Sequence, residues 1–200
     1  MKQKEYSAGM VKLSFWFAEF RKVVGLLNQG KTLPEIKQMN LRDNLFAAPT
    51  QTRAVQIFNT VSTRVKELDA SFLALFEDCD ISNQKFIVLL AIMRSDRLFF
   101  EFMYEVYREK LMLGMDTLVD SDVAIFFKNK QLQSEKVAAW QDYTLKRLGT
   151  CYKTMLVEAG LLEHGVGTRK ILKPILDKSV EEYLTANSMD VLLHALTGVR

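Results

Sequence analysis

Apolar positions recur along this chain at intervals of three and four, the spacing that gathers them on one face of a helix. Leu13, Trp16, Phe17, Phe20, Val24 and Leu27 form one such stripe, and Gly30 supplies a stop. A short helix is predicted from Thr32, where Thr32 and Glu35 have capping-box spacing and Pro34 suits a first turn. After Pro49, the positions Ala54, Ile57, Phe58, Val61, Val65 and Leu68 repeat the stripe and leave Arg53, Thr60, Arg64 and Lys66 for solvent. From Ser82 to Arg94 and from Asp96 to Leu113 the chain is apolar around most of the helical circumference, so neighbours should wrap both segments.

Gly114 and the following "MDTLVDSD" combine a helix stop with turn and N-cap residues, and mark the expected boundary between two units, 1–115 and 116–200. The pattern then predicts helices from Asp120 to Lys130, from Ser134, and a long one ending at Ala159 before Gly160. The stretch "EAGLLEHGVGTRKILKP", 158–174, breaks this rhythm. Its "LLEH" and "TRKILKP" are of strand length and "GVG" offers glycine for positive φ, so a small β-hairpin is expected. "KSVEEYLTAN" and "DVLLHALTG" predict two closing helices. The fold class is mainly α with one small hairpin. Three short helices followed by a hairpin is the order of a winged helix-turn-helix, in which the third helix enters the DNA major groove and the hairpin follows the backbone or minor groove.

With 200 residues and 48% of them hydrophobic, the chain can bury a sizeable core. Its net charge of +3 says little about a polyanionic partner, but the distribution of charge says more. At about 100° per residue, Lys146, Arg147, Thr150, Lys153, Thr154 and Val157 share about a third of the last long helix. Arg169, Lys170 and Lys173 of the hairpin add three further cations, against Glu158 and Glu163 nearby. Cations displace the counterions condensed on a duplex and hydroxyls bond its phosphate oxygens, so these residues form the expected DNA-binding surface. The plain alternative is an ordinary exposed helix face kept soluble by lysine.

Nothing in the chain has the spacing of an enzyme. His164 and His194 are the only histidines, and neither they nor Cys79 and Cys151 stand at metal-ligand spacing. No GxSxG or P-loop is present, and "GVGTRK" lacks the length and ending that cradle nucleotide phosphates. The pairs Asp78/Asp80 and Asp120/Asp122 precede predicted helices, where carboxylates serve as caps. No catalytic residue, metal or cofactor is expected. Phe99, Phe100, Phe102, Tyr104 and Tyr107 are expected to fill the core and not to stack on bases. The longest apolar run, "FIVLLAIM", is far too short to span a bilayer, so a soluble, cytoplasmic protein without a membrane partner is expected.

The segments "YSAGMVKLSFWFAEFRKVVGLLNQG", "MRSDRLFFEFMYEVYREKLMLG", "DSDVAIFFKNKQLQSEKVAAW", "AGLL" and "KILKPIL" together resemble the BrxA family, small accessory proteins of bacterial BREX phage-defence systems. The resemblance runs from about Tyr6 to Asp177. It implies a non-enzymatic component that binds DNA and works beside other BREX proteins, in a system that tells host from phage DNA by methylation. It also implies an N-terminal helical bundle similar to the antitermination protein NusB, ahead of the winged-helix-like C-terminal region read above from the order of its elements. A role as a protein-interaction adaptor within the BREX complex, or as an RNA-binding NusB-like module, is the alternative. The family has also been labelled an inner-membrane protein, which the absence of a spanning apolar segment opposes.

Overall fold

Side-chain caps start four of the five helices in the first half of the chain. A computed structural model describes residues 4–198. The helices of its first half are α1 (Phe17–Asn28), α2 (Leu33–Asp43), α3 (Gln51–Val65), α4 (Ala70–Asp78) and α5 (Ile81–Ser95). Thr32 and Glu35 form the expected capping box at α2, with the Thr32 amide donating to the Glu35 carboxylate at 2.7 Å. Thr50 caps α3, while Asp69 and Asp80 accept from the amides of Phe72 and Asn83 at the starts of α4 and α5. Asp80 is therefore a cap, as its position suggested. Asp78 is instead the last residue of α4, a short helix that the apolar pattern did not resolve.

The continuous helix predicted from Asp96 is three pieces, α6 (Arg97–Phe102), a π-helical turn (Met103–Tyr107) and α7 (Arg108–Met112). Asp96 caps it by accepting from the Phe99 amide at 2.9 Å. Every residue from Phe86 to Met93 in α5 is buried, and Phe99, Phe102 and Tyr107 are fully buried too, which places the core where the sequence put it. Phe100 and Tyr104 are half-buried beside them. Tyr152 is the centre of this aromatic cluster, its ring 5.1 Å from Phe99, 5.2 Å from Phe102 and 5.7 Å from Phe127.

The chain then forms β1 (Thr117–Leu118), α8 (Asp120–Gln133), α9 (Glu135–Ala138), α10 (Asp142–Glu158), β2 (Arg169–Lys170), α11 (Lys178–Ala186) and α12 (Asp190–Thr197). Gly160, with φ +80°, follows α10 in the left-handed conformation that ends a helix. The molecule is thus mainly helical with one small antiparallel sheet. The hairpin is present, with Leu162 bridging Ile171 and the Glu163 amide donating to the Lys170 carbonyl at 2.9 Å. Its connecting loop spans 164–168, wider than "GVG" alone. β2 also pairs with β1 through Thr117↔Lys170 and Leu118↔Arg169. "MDTLVDSD", expected to be a boundary turn leading into a helix at Asp120, therefore supplies a strand as well.

Two further expectations are corrected. Leu13 and Trp16 precede α1 instead of lying on it: the first turn is a 3-10 helix at Gly9–Lys12, and Trp16 adopts φ 53° just before α1 begins. Arg64, assigned to solvent, is 2% exposed. Its guanidinium donates to the carbonyls of Phe15 at 2.6 Å and Ser14 at 2.9 Å and lies 5.7 Å from the Trp16 ring centre. Burial lowers its pKa to about 10, with Glu158 and Asp96 pulling the other way. Arg64 thus fastens the N-terminal segment to α3, satisfying two carbonyls that no helix claims.

Candidate nucleic-acid interface

α10 owes its two-sidedness to simple spacing. Leu145, Leu148, Tyr152, Met155 and Leu156 are buried, while Lys146, Arg147, Thr150 and Thr154 are exposed, so the polar face predicted from helical geometry is the face that meets solvent. Tyr143, one turn before Arg147, is 66% exposed on the same stripe. Its hydroxyl lies 3.2 Å from the Arg147 guanidinium, an interaction that raises the arginine's pKa. Arg147 also donates to the Val11 carbonyl at 3.3 Å, which ties α10 to the N-terminal segment.

α10 crosses α8 over a groove of about 600 Å³. Lys146, Thr150 and Lys153 line it from α10, and Lys128 and Gln131 line it from α8. Lys128 was not among the expected residues, because helical geometry within α10 says nothing about the helix facing it. Gly149 makes the close crossing possible, for a Cβ there would stand 2.6 Å from Val123 Cγ1.

The cations differ in how free they are. Lys153 is 12% exposed and paired with Asp120 at the start of α8. Lys146, Lys128 and Lys173 make no ion pair among the described residues, and Lys146 and Lys173 are exposed. Lys170 approaches Glu163 only at 4.0 Å, with both side chains more than half exposed. Thr150 and Thr154 donate their hydroxyl protons back to the carbonyls of Lys146 and Thr150, at 3.1 and 3.0 Å, and must rotate before they can donate elsewhere.

The hairpin does not present its basic residues on one side. Arg169 stands opposite Leu118, which is fully buried, and directly opposed residues share a face. Its Nε is buried without a hydrogen-bond partner. Lys170, the next residue, leaves the strand on the opposite face and is exposed. The eight expected residues therefore divide. Lys146, Arg147, Thr150 and Thr154 form one open strip, Lys153 borders it in a pair, Lys170 and Lys173 are open on the hairpin, and Arg169 is half-buried. β1 links the two regions, because it pairs with Arg169 and runs into Asp120, the partner of Lys153.

No group of three or more His, Cys, Asp or Glu among the described residues is arranged to hold a metal. His164 is exposed in the hairpin loop, and Cys79 and Cys151 are unbridged. No described helix is long and apolar enough to cross a membrane.

The architecture recurs in a solved structure, an uncharacterised protein from Magnetospirillum magneticum, with a TM-score of 0.82 over 98% of this chain and 100% of that one. At 18% identity this similarity concerns the fold. A curated protein of Bacillus cereus (strain H3081.97), described as BREX protein BrxA, is 40% identical over 198 residues, 99% of each chain. The BrxA family model matches residues 4–188, and the chain is accordingly a member of the BrxA family.

Proposed function

We propose that this protein is a non-enzymatic, double-stranded DNA-binding component of a BREX phage-defence system, acting in the cytoplasm beside other BREX proteins. Family membership supports the place in BREX, given the description of the 40% identical relative. The observation that carries DNA binding is the open strip of α10, where Lys146 and Arg147 stand without a carboxylate partner and Lys128 extends the positive field across the groove. The order β1, α8, α9, α10 and hairpin supports a winged-helix reading in which α10 faces the major groove and Lys170 and Lys173 follow the adjoining backbone. In this reading residues 116–200 carry the contacts and 1–115 the bundle that backs them. Arg147 is the residue suited to a guanine edge once it leaves Tyr143 and Val11, so sequence preference is weak.

Fluorescence anisotropy of a labelled duplex across a salt series tests the proposal. Four or five accessible cations give a slope of about −4 in log K against log salt. The pair Lys146→Glu with Lys173→Glu lowers affinity and reduces the slope by about 2. A salt-independent interaction, or one indifferent to both substitutions, rejects the surface. Tighter binding of structured RNA than of duplex DNA in parallel titrations favours the RNA-binding alternative instead.

A further inference from the structure

α8 carries a second exposed stripe on its other side. Ile125 is 58% and Leu132 82% exposed, and as i and i+7 residues they lie on one line with Asn129 between them. Beside them the link between α7 and β1 exposes Leu113 at 75% and Met115 at 46%. Leu113, Met115 and Ile125 line a single shallow groove of about 300 Å³ between α7 and α8. Isolated exposed leucines are ordinary, but several large aliphatic side chains around one concavity mark a contact surface. None of them belongs to the basic strip of α10.

The rim of this groove has a definite charge. Its ionisable lining residues are Glu105, Glu109, Asp122 and Lys110. Lys110 is buried and paired with Asp122 at 2.8 Å, so its charge is already matched. Glu105 receives the buried ammonium of Lys130 at 2.6 Å but keeps a 42% exposed side chain, and Glu109 is exposed with no ion pair among the described residues. The solvent-facing rim is therefore acidic in a protein whose net charge is +3. An apolar floor with carboxylates along one edge complements a helix that has aliphatic residues at i and i+4 and lysine or arginine beside them.

We propose that the α7–α8 groove is a docking site for a basic amphipathic helix of a partner protein. Leu113, Met115 and Ile125 receive its apolar face, and Glu105 and Glu109 fix its orientation. Because the floor is apolar and the rim acidic, the same surface repels nucleic acid. The protein can then hold a partner on one side of α8 while the other side stays open.

The test uses the full chain with methyl-labelled Ile, Leu and Met and a synthetic leucine–lysine amphipathic helix of about 15 residues. A leucine–glutamate counterpart of the same pattern is the control. Binding of the lysine peptide, with shifts concentrated at Leu113, Met115 and Ile125, is expected to exceed that of the glutamate peptide by roughly tenfold or more. Ile125→Asn should abolish it and Glu109→Gln should weaken it, both without changing duplex DNA affinity or the circular dichroism spectrum. These side chains are exposed, so neither substitution disturbs the core. Equal binding of the two peptides, shifts centred elsewhere, or no binding overturns the proposal. Concentration-dependent broadening of the same methyls without peptide also overturns it, by assigning the groove to a second copy of this chain. Loss of DNA binding in the unmodified protein would reject the function proposed above and leave this result untouched.

Discussion

Gly149 shows how one missing side chain sets the geometry of the candidate interface. In the middle of a 17-residue helix, glycine is less favourable than alanine by about 1 kcal/mol. Here an alanine Cβ would meet Val123 Cγ1 at 2.6 Å and Phe127 Cε2 at 3.5 Å. Valine is stiff about χ1 and cannot swing aside freely, so the clash forces α8 and α10 apart. Overpacking of this kind costs about 1–3 kcal/mol and outweighs the helix-propensity gain. Gly149→Ala should therefore lower stability by about 1 kcal/mol in urea denaturation, and unchanged or greater stability would mean that α8 shifts without penalty. Arg64 is a second case in which one residue departs from its type. It follows Ile57 and Val61 and precedes Leu68 at helical spacing, so the apolar arc already contained its position. Charge suggested solvent, whereas spacing pointed to the core.

Among the elements, α10 and the hairpin could be read from the sequence because their signals are local: a long amphipathic stripe, a terminating glycine, and strand-length segments around a glycine turn. β1 could not. Thr117 and Leu118 are two residues among turn formers, and only pairing with Arg169 and Lys170, some fifty positions later, makes them a strand. The π turn at Met103–Tyr107 was equally hidden, since its apolar residues fit an unbroken helix. The same distinction holds for the site. Geometry within α10 placed Lys146, Arg147, Thr150 and Thr154 on the exposed face, but contacts between elements decided which cations stay free. Asp120 takes Lys153 out of the open strip, and a pairing partner of this kind cannot be read within one helix. Asp120→Asn should release Lys153, raise duplex affinity several-fold and steepen the salt slope by about 1. If affinity stays constant, Lys153 does not meet phosphate.

Across the whole molecule, the expected boundary near residue 115 is spanned by contacts from both sides. Lys130 of α8 lies between Glu101 and Glu105, 2.6 Å from each, and Glu101 also receives Arg97 at 2.8 Å and the Tyr6 hydroxyl at 2.8 Å. The Tyr107 hydroxyl donates to the Leu172 carbonyl at 3.2 Å, and α12 packs against α7 and the π turn. Burial alone would raise the Glu101 pKa, but hydrogen bonds from Lys130, Arg97 and Tyr6 outweigh it and hold the carboxyl below its ordinary value of 4.5. A group whose folded pKa is lowered adds stability above its unfolded pKa and loses it as pH falls through the folded value. Asp96 works in the opposite sense, since burial raises its pKa and protonation favours the folded state. Comparing wild type with Glu101→Gln cancels the Asp96 contribution, which both proteins share. The variant should be less stable at neutral pH, and the difference should shrink steadily below about pH 4.5. The two tryptophans, Trp16 and Trp140, report on opposite sides of residue 115. Because the Glu101 network joins those sides, within each of the Trp16→Phe and Trp140→Phe proteins the remaining indole and far-UV circular dichroism should report the same denaturant midpoint. Separated midpoints would show that the two sides fold independently and that the Lys130 contacts are too weak to couple them.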